Sequence, residues 1–174
     1  SKADRVSIMG PSGAGKTTLL NLMAGILYPD RGKVSGIPDR AIGMVFQEDR
    51  LLPQFTVWEN VALAAPQESK AAILLLLSKV SLEEEAYSRP KALSGGMKRR
   101  VAVARAVAAK SPLLLLDEPF SGLDEATKAL TARFILQNAT ESILVAVTHD
   151  PQEAALLDSQ ILKLVPLQMT LERS

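Results

Sequence analysis

One stretch, Gly10-Pro11-Ser12-Gly13-Ala14-Gly15-Lys16-Thr17-Thr18, limits the fold more than any other part of the chain. Its spacing is G-x-x-x-x-G-K-[ST], that of a phosphate-cradling loop, which joins a strand to a helix. Both neighbours are present. Residues 5–9 predict a short apolar strand, and Leu19, Leu20, Leu22, Met23 and Ile26 supply the apolar stripe of a helix over 16–26. Glycines let backbone N–H groups close around a phosphate with no Cβ in the way. The helix N-terminus adds unpaired donors and positive partial charge. Lys16 can reach β- and γ-phosphates, and Thr17 can place its hydroxyl on Mg²⁺. The other reading is a glycine-rich turn opening an ordinary helix. By itself the loop implies a nucleoside triphosphate and no particular reaction, since kinases, GTPases and motor ATPases share it.

Whole-chain properties narrow the field. At 174 residues the chain has room for one substantial core and is short for two full domains. A hydrophobic content of 47% with 22% charged residues is ordinary for a globular protein. Net charge of +1 gives no bulk attraction to nucleic acid or anionic lipid. With Cys 0, disulfides and thiolate metal sites are excluded, and a reducing compartment suits the chain. The longest apolar run, 71–77, is too short to cross a bilayer. Ser1-Lys2-Ala3-Asp4 leads straight into the first strand, so no signal peptide is expected, and the start without Met suggests a trimmed product.

Along the chain, Gly25 and residues 28–32 mark a stop and a turn. Residues 33–39 read as a short edge strand and loop, and 41–46 as a buried strand ending at the polar burst Gln47-Glu48-Asp49-Arg50. Thr56 is an N-cap candidate for a helix over 57–63. Residues 67–80 predict a second, Leu-rich helix, and 82–87 a short acidic helix or turn. Nothing between Thr56 and Pro90 has strand character, so a helical insertion between two strands of an α/β sheet is expected. Leu93-Ser94-Gly95-Gly96 precedes a helix over 97–109. Its inner face is Val101, Ala104, Val107 and Ala108, with Lys98, Arg99, Arg100 and Arg105 elsewhere around it. Leu113-Leu114-Leu115-Leu116 marks a central parallel strand buried on both faces. A helix over 125–138, a strand over 143–147, a helix over 151–157 opened by Pro151 and a last strand over 161–165 complete the reading.

Polar clusters end four of the apolar strands: the phosphate loop, Gln47, Asp117-Glu118 and His149. In an open α/β sheet, ligands bind at that edge. Asp117 suits a Mg²⁺ carboxylate, held directly or through water. Glu118, one residue on, points elsewhere and can polarise an attacking water. The alternative is that both cap the next element. A lone His is commonly structural, but His149 ends a buried strand on the ligand edge and reads as a γ-phosphate contact. Gln47 can touch metal or water, or simply face solvent. Ser94, Gly95 and Gly96 open a helix and form a second anion site. One chain has one triphosphate at its phosphate loop, so a second grip implies a second copy facing the first.

In this order the phosphate loop, the Gln47 loop, Leu93-Ser94-Gly95-Gly96-Met97, the acidic strand 113–118, the loop 121–124 and His149 resemble the ATP-binding cassette family, the nucleotide-binding subunits of ABC transporters. The resemblance covers nearly the whole chain. It implies an α/β P-loop NTPase fold with a mostly parallel sheet in a single domain: 1–52 and 91–174 form a RecA-like core, and 53–90 the helical insertion. It also implies ATP and Mg²⁺ as cofactors, with Thr17, Gln47 and Asp117 around the metal. Glu118 is then the catalytic base, His149 senses the γ-phosphate, Gln47 couples the site to a membrane subunit, and Asp124 helps form a dimer contact. Two copies would sandwich two ATPs, each phosphate loop facing the other copy's Ser94, Gly95 and Gly96. The partners implied are integral-membrane permease subunits and, indirectly, an extracytoplasmic solute-binding protein, with no nucleic acid. The location implied is the cytoplasmic face of the inner membrane.

Residues 46–53 and 56–61 resemble the bacterial importers of nitrate, sulfonate, taurine and thiamine precursors. Leu51, Leu52, Phe55 and Trp58 are candidates to line a permease groove, the alternative being the core of the insertion. Two departures stand out. Met97 replaces the usual Gln of the family signature, while Ser94, Gly95 and Gly96 keep the donors. No aromatic residue precedes Gly10, where family members carry extra β-strands and an adenine-stacking ring. The N-terminal β-subdomain therefore reads as shortened. Two other functions compete. A soluble cassette ATPase of DNA repair or translation would be expected to carry coiled-coil arms or basic insertions. Glu118 and His149 argue against a cassette that binds nucleotide without turnover.

Overall fold

The computed structural model describes residues 5–37 and 42–165. Its frame is a parallel sheet of β1 (Arg5–Met9), β2 (Gly43–Val45), β3 (Leu113–Asp117), β4 (Ile143–Val147) and β5 (Gln160–Lys163), in the order β2-β3-β4-β1-β5. Side chains alternate across a strand, so the leucine run of β3 divides. Leu114 and Leu116 join Val45, Leu144 and Ala146 on one face, while Leu113 and Leu115 join Ile8, Val145 and Val147 on the other. Each fully buried side chain of this size contributes about 1.5–3 kcal/mol.

The second face is covered by α1 (Lys16–Met23) through Leu20. The first is covered by α4 (Gly95–Ala108) and α5 (Glu125–Asn138), with α2 (Val57–Ala62) and α3 (Lys70–Ser78) packed on α4, and α6 (Pro151–Leu156) packs beside α5. Between β2 and α4 the described chain holds helices and turns only, as the insertion reading expects. Its residues Val57, Val61, Ile73 and Leu77 share one core with α4 and the sheet. Thr56 caps α2 in a reciprocal box with Glu59, and the turn that follows α3 carries the 82–87 stretch. Among the described residues no helix is long and apolar enough to cross a membrane.

Several boundaries move for local reasons. The first helix stops at Met23 because Gly25 turns the chain at φ 68°, leaving Ile26 half exposed. The signature helix starts at Gly95, two residues earlier than read, because Ser94 accepts from the Met97 N–H and caps it. Residues 33–37 form no strand, and Pro38 to Ala41 lie outside the described residues. Helix α4 is buried nearly all round: Ala102, Val103 and Ala106 are covered as well as Val101, Ala104, Val107 and Ala108, because it lies between insertion and sheet. Arg99, read from the sequence as lying away from the inner face, is buried too.

Asp124 caps helix α5: its carboxylate accepts from the Thr127 N–H at 2.9 Å and from the Thr127 hydroxyl at 3.0 Å. These bonds hold the Asp124 carboxyl below its ordinary range. A lowered folded-state pKa stabilises above the unfolded value, and that stability is lost as pH falls through the folded value. Asn caps about as well as Asp but does not titrate. Asp124→Asn should therefore melt near the wild-type temperature at neutral pH and fall less steeply below about pH 4. Thermal melts of both chains across that range check this; parallel acid limbs would refute it.

Candidate functional site: a phosphate loop at the edge of the sheet

The C-terminal ends of β1, β3 and β4 meet because the strands are parallel and in register, with Asp117 opposite Val147 and Ile8 beside the same residue. The phosphate loop leaves β1 at Gly10, where a Cβ would lie 2.5 Å from the Leu164 carbonyl oxygen. Gly15 sits at φ 87° as the N-cap of α1 and brings no side chain to cap it, so the first N–H groups of α1 stay available to an anion. Lys16 lies across the loop, its Nζ donating to the carbonyls of Gly10 at 2.8 Å and Pro11 at 2.9 Å.

Ser12, Gly13, Gly15, Lys16, Thr17 and Thr18 line a cavity of about 290 Å³ together with Gln47, Asp117 and Glu118. The sheet thus joins three of the four clusters read from the sequence in one hollow. Asp117 is 1% exposed, and its Oδ2 is buried with no hydrogen-bond partner. Burial pushes its carboxyl above the ordinary range, the Thr17 hydroxyl pulls it back, and the neighbouring Glu118 raises it again. An orphaned buried carboxylate oxygen beside a threonine hydroxyl is a hard-oxygen set that fits Mg²⁺. That ion binds through one or two protein ligands, substrate phosphates and water.

Glu118 follows β3 in the left-handed region, at φ 49°. For a non-glycine residue this conformation costs about 1–3 kcal/mol and persists only where the surroundings hold it. Its N–H donates to the Val147 carbonyl at 2.9 Å, and its carbonyl accepts from the Ser121 N–H at 3.0 Å. His149 stands at the rim, mostly exposed, with Nδ1 3.7 Å from Glu118 Oε1. Behind it, Thr148 donates to buried Glu153, which Lys128 of α5 meets at 3.1 Å.

Ser94, Gly95 and Gly96 do not line this cavity. Ser94 and Gly95 are exposed, and Gly96 packs near Gly122 and Leu123, on the loop that leads to Asp124. The candidate second anion site and the phosphate loop are thus separate surfaces of one chain. Of the four groove candidates, Leu51 and Trp58 pack against the core, Phe55 is half buried and Leu52 is exposed.

Two arginines escaped the sequence reading. Arg99 and Arg105, both on α4, donate to backbone carbonyls of the Gln47 loop, and Arg99 also reaches those of Asp117 and Glu118. The available signal was the basic run 98–100, with Arg105 further on, in a helix otherwise made of small and apolar residues.

Residues 1–121 match the family model described as ABC transporter. The chain belongs to the ABC transporter family. As an ABC cassette it is an ATP-hydrolysing subunit. It is 41% identical over 180 residues to the nitrate transport protein NasD of Klebsiella oxytoca, covering 92% of this chain and 68% of the relative. The aliphatic sulfonates import ATP-binding protein SsuB 1 of Pseudomonas syringae pv. syringae is 41% identical over 160 residues, covering 90% of this cassette and 67% of the relative. The cassette thus spans about two thirds of the length of these relatives. Among solved structures it is similar to the ATP-binding cassette MJ0796, a dimer in a post-hydrolysis state bound to ADP and Pi. The TM-score is 0.78 at 33% identity, covering 94% of this chain and 82% of that one.

Proposed function

We propose that this cassette powers import of a small solute through a separate integral-membrane permease, working as a pair of identical chains at the cytoplasmic face of the membrane. The observation that carries the pairing is the separation within one chain of the phosphate-loop cavity from the exposed start of α4 at Ser94-Gly95-Gly96. Two copies in head-to-tail contact would bring each α4 N-terminus to the other copy's γ-phosphate, with Asp124 near the seam. Import is supported by the names of the relatives, NasD and SsuB 1, and by the resemblance of the 46–61 stretch. The groove candidates Leu52 and Phe55, together with the Gln47 loop, are the surface proposed for the permease. A solute-binding protein outside the membrane would act through that permease.

Within each site, Gly10 to Thr18 would hold the triphosphate, and Thr17, Asp117 and Gln47 the Mg²⁺, directly or through water. When bound, the ion neutralises charge on the β- and γ-phosphates. Glu118 accepts the proton of the attacking water, and His149 donates a hydrogen bond to the γ-phosphate. Gln47 reports the state of that phosphate to the docked subunit.

Mixing inactive variants tests the pairing. Lys16→Ala disables a chain's phosphate loop, and Ser94→Arg blocks its second anion site. Either variant alone should be inactive. An equimolar mixture should recover about a quarter of wild-type turnover, since half the dimers are mixed and each carries one intact site. A mixture as inactive as its components would mean that each site is built within one chain.

A further inference from the structure

The residue that joins most of the catalytic edge is one that the proposed mechanism does not use. Arg99 is 2% exposed and projects from α4, whose N-terminus carries Ser94, Gly95 and Gly96. Its Nε donates to the Glu118 carbonyl at 3.1 Å, and its Nη2 donates to the same oxygen at 2.7 Å and to the Asp117 carbonyl. On the other side, Nη1 donates to the Phe46 carbonyl at 2.7 Å, the Gln47 carbonyl at 3.4 Å and Asp49 Oδ1 at 3.1 Å. The planar guanidinium has five N–H donors. Here they fan out to two segments that are remote in sequence and both line the cavity.

Two features point beyond a structural role. Glu118 and Arg50 are both non-glycine residues in the left-handed region, at φ 49° and 45°. The carbonyl of each is held by a guanidinium of α4: Arg99 for Glu118, and Arg105 for Arg50 at 2.9 Å. Moreover, the hydrogen bonds of Arg99 go to the Gln47 loop and the end of β3, not to the phosphate loop, which is carried by β1 and α1. The grip on the triphosphate and the placement of the carboxylate are therefore mechanically separable.

We propose that Arg99 is a positioning residue for hydrolysis: it clamps the Glu118 backbone and the Gln47 loop to α4 and so sets the angle at which the Glu118 carboxylate meets the attacking water. The clamp also makes that angle follow any movement of α4, the helix that opens with the second anion site. A lysine has three donors on one nitrogen, so it cannot reproduce the full set of contacts that the planar fork makes to both segments. The proposal rests on Glu118 being the base.

The test compares wild type, Arg99→Met, Arg99→Lys and Glu118→Gln in full-length chain. ATP affinity is measured by titration of a fluorescent ATP analogue, and kcat and KM by phosphate release. Both Arg99 variants should bind nucleotide within about twofold of wild type, with kcat lower by about 10- to 100-fold, as expected for a catalytic group displaced by an ångström or less. Arg99→Lys keeps the charge and most of the stem, so it guards against a Met variant that fails to fold. Full turnover by Arg99→Lys, or affinity and kcat falling together in that variant, would overturn the positioning role while leaving a silent Glu118→Gln to support the base. Wild-type turnover by Glu118→Gln would instead remove the base, and the role of Arg99 with it.

Discussion

Glu118→Gln is expected to bind ATP as wild type does and to hydrolyse it about 10²- to 10⁴-fold more slowly, the range that a positioned general base contributes. The substitution keeps the side chain's length and planarity, and the backbone contacts that hold φ at 49° do not involve the carboxylate. What disappears is the capacity to accept a proton, because an amide at neutral pH does not take one. His149 Nδ1, 3.7 Å from the carboxylate, would face an amide in its place. If hydrolysis is what releases the two copies, the variant should also accumulate as a dimer in ATP and Mg²⁺. Sedimentation beside a phosphate-release assay reads both effects. A variant that binds ATP yet stays monomeric at saturation would contradict the head-to-tail arrangement; one that turns over normally would contradict the assignment of the base.

Lys16→Ala is expected to weaken ATP binding by at least about 100-fold. A charge-assisted hydrogen bond contributes about 1.5–3 kcal/mol, and in the proposed role Lys16 would make two, with the β- and γ-phosphates. Its ammonium now sits on the carbonyls of Gly10 and Pro11, so the loop already orients it. Removing it leaves a part-buried Gly10 carbonyl and an exposed Pro11 carbonyl without that donor, and the fold should survive. Calorimetry gives the affinity directly. A thermal melt with and without ATP gives it independently, because stabilisation by a ligand follows its concentration relative to Kd. Affinity retained within about threefold would mean that backbone donors and α1 alone carry the phosphates.

The geometry of the candidate site was legible where its parts obey short-range rules. Asp117 ends an apolar strand, Gln47, Glu118 and His149 follow one within two residues, and Lys16 and Thr17 open the helix after the loop that leaves β1; parallel pairing brings such ends to one edge whatever the details of packing. The limits of α5 and β4 agree with the reading of 125–138 and 143–147, because Asp124 caps one and a clean apolar run defines the other. Helix α4 was legible only in part. Its stripe of Val101, Ala104, Val107 and Ala108 is buried as read, but helical periodicity names one face, and this helix is packed on several.

The amino-acid sequence by itself determined the phosphate loop, the parallel strands and the helical character of the stretch between Thr56 and Pro90. These follow from glycine stereochemistry, caps and hydrophobic spacing within a few residues of each position. Only the tertiary structure decided that Ser94, Gly95 and Gly96 stand apart from the cavity, that Asp117 keeps an orphaned oxygen, and that Arg99 reaches across to carbonyls on both sides of it. The acceptors of Arg99 lie up to 53 residues away in the chain, and all but Asp49 Oδ1 are main-chain oxygens. Every residue carries such an oxygen, so no residue type announces it in advance. It becomes a site only when packing aims several at one buried charge.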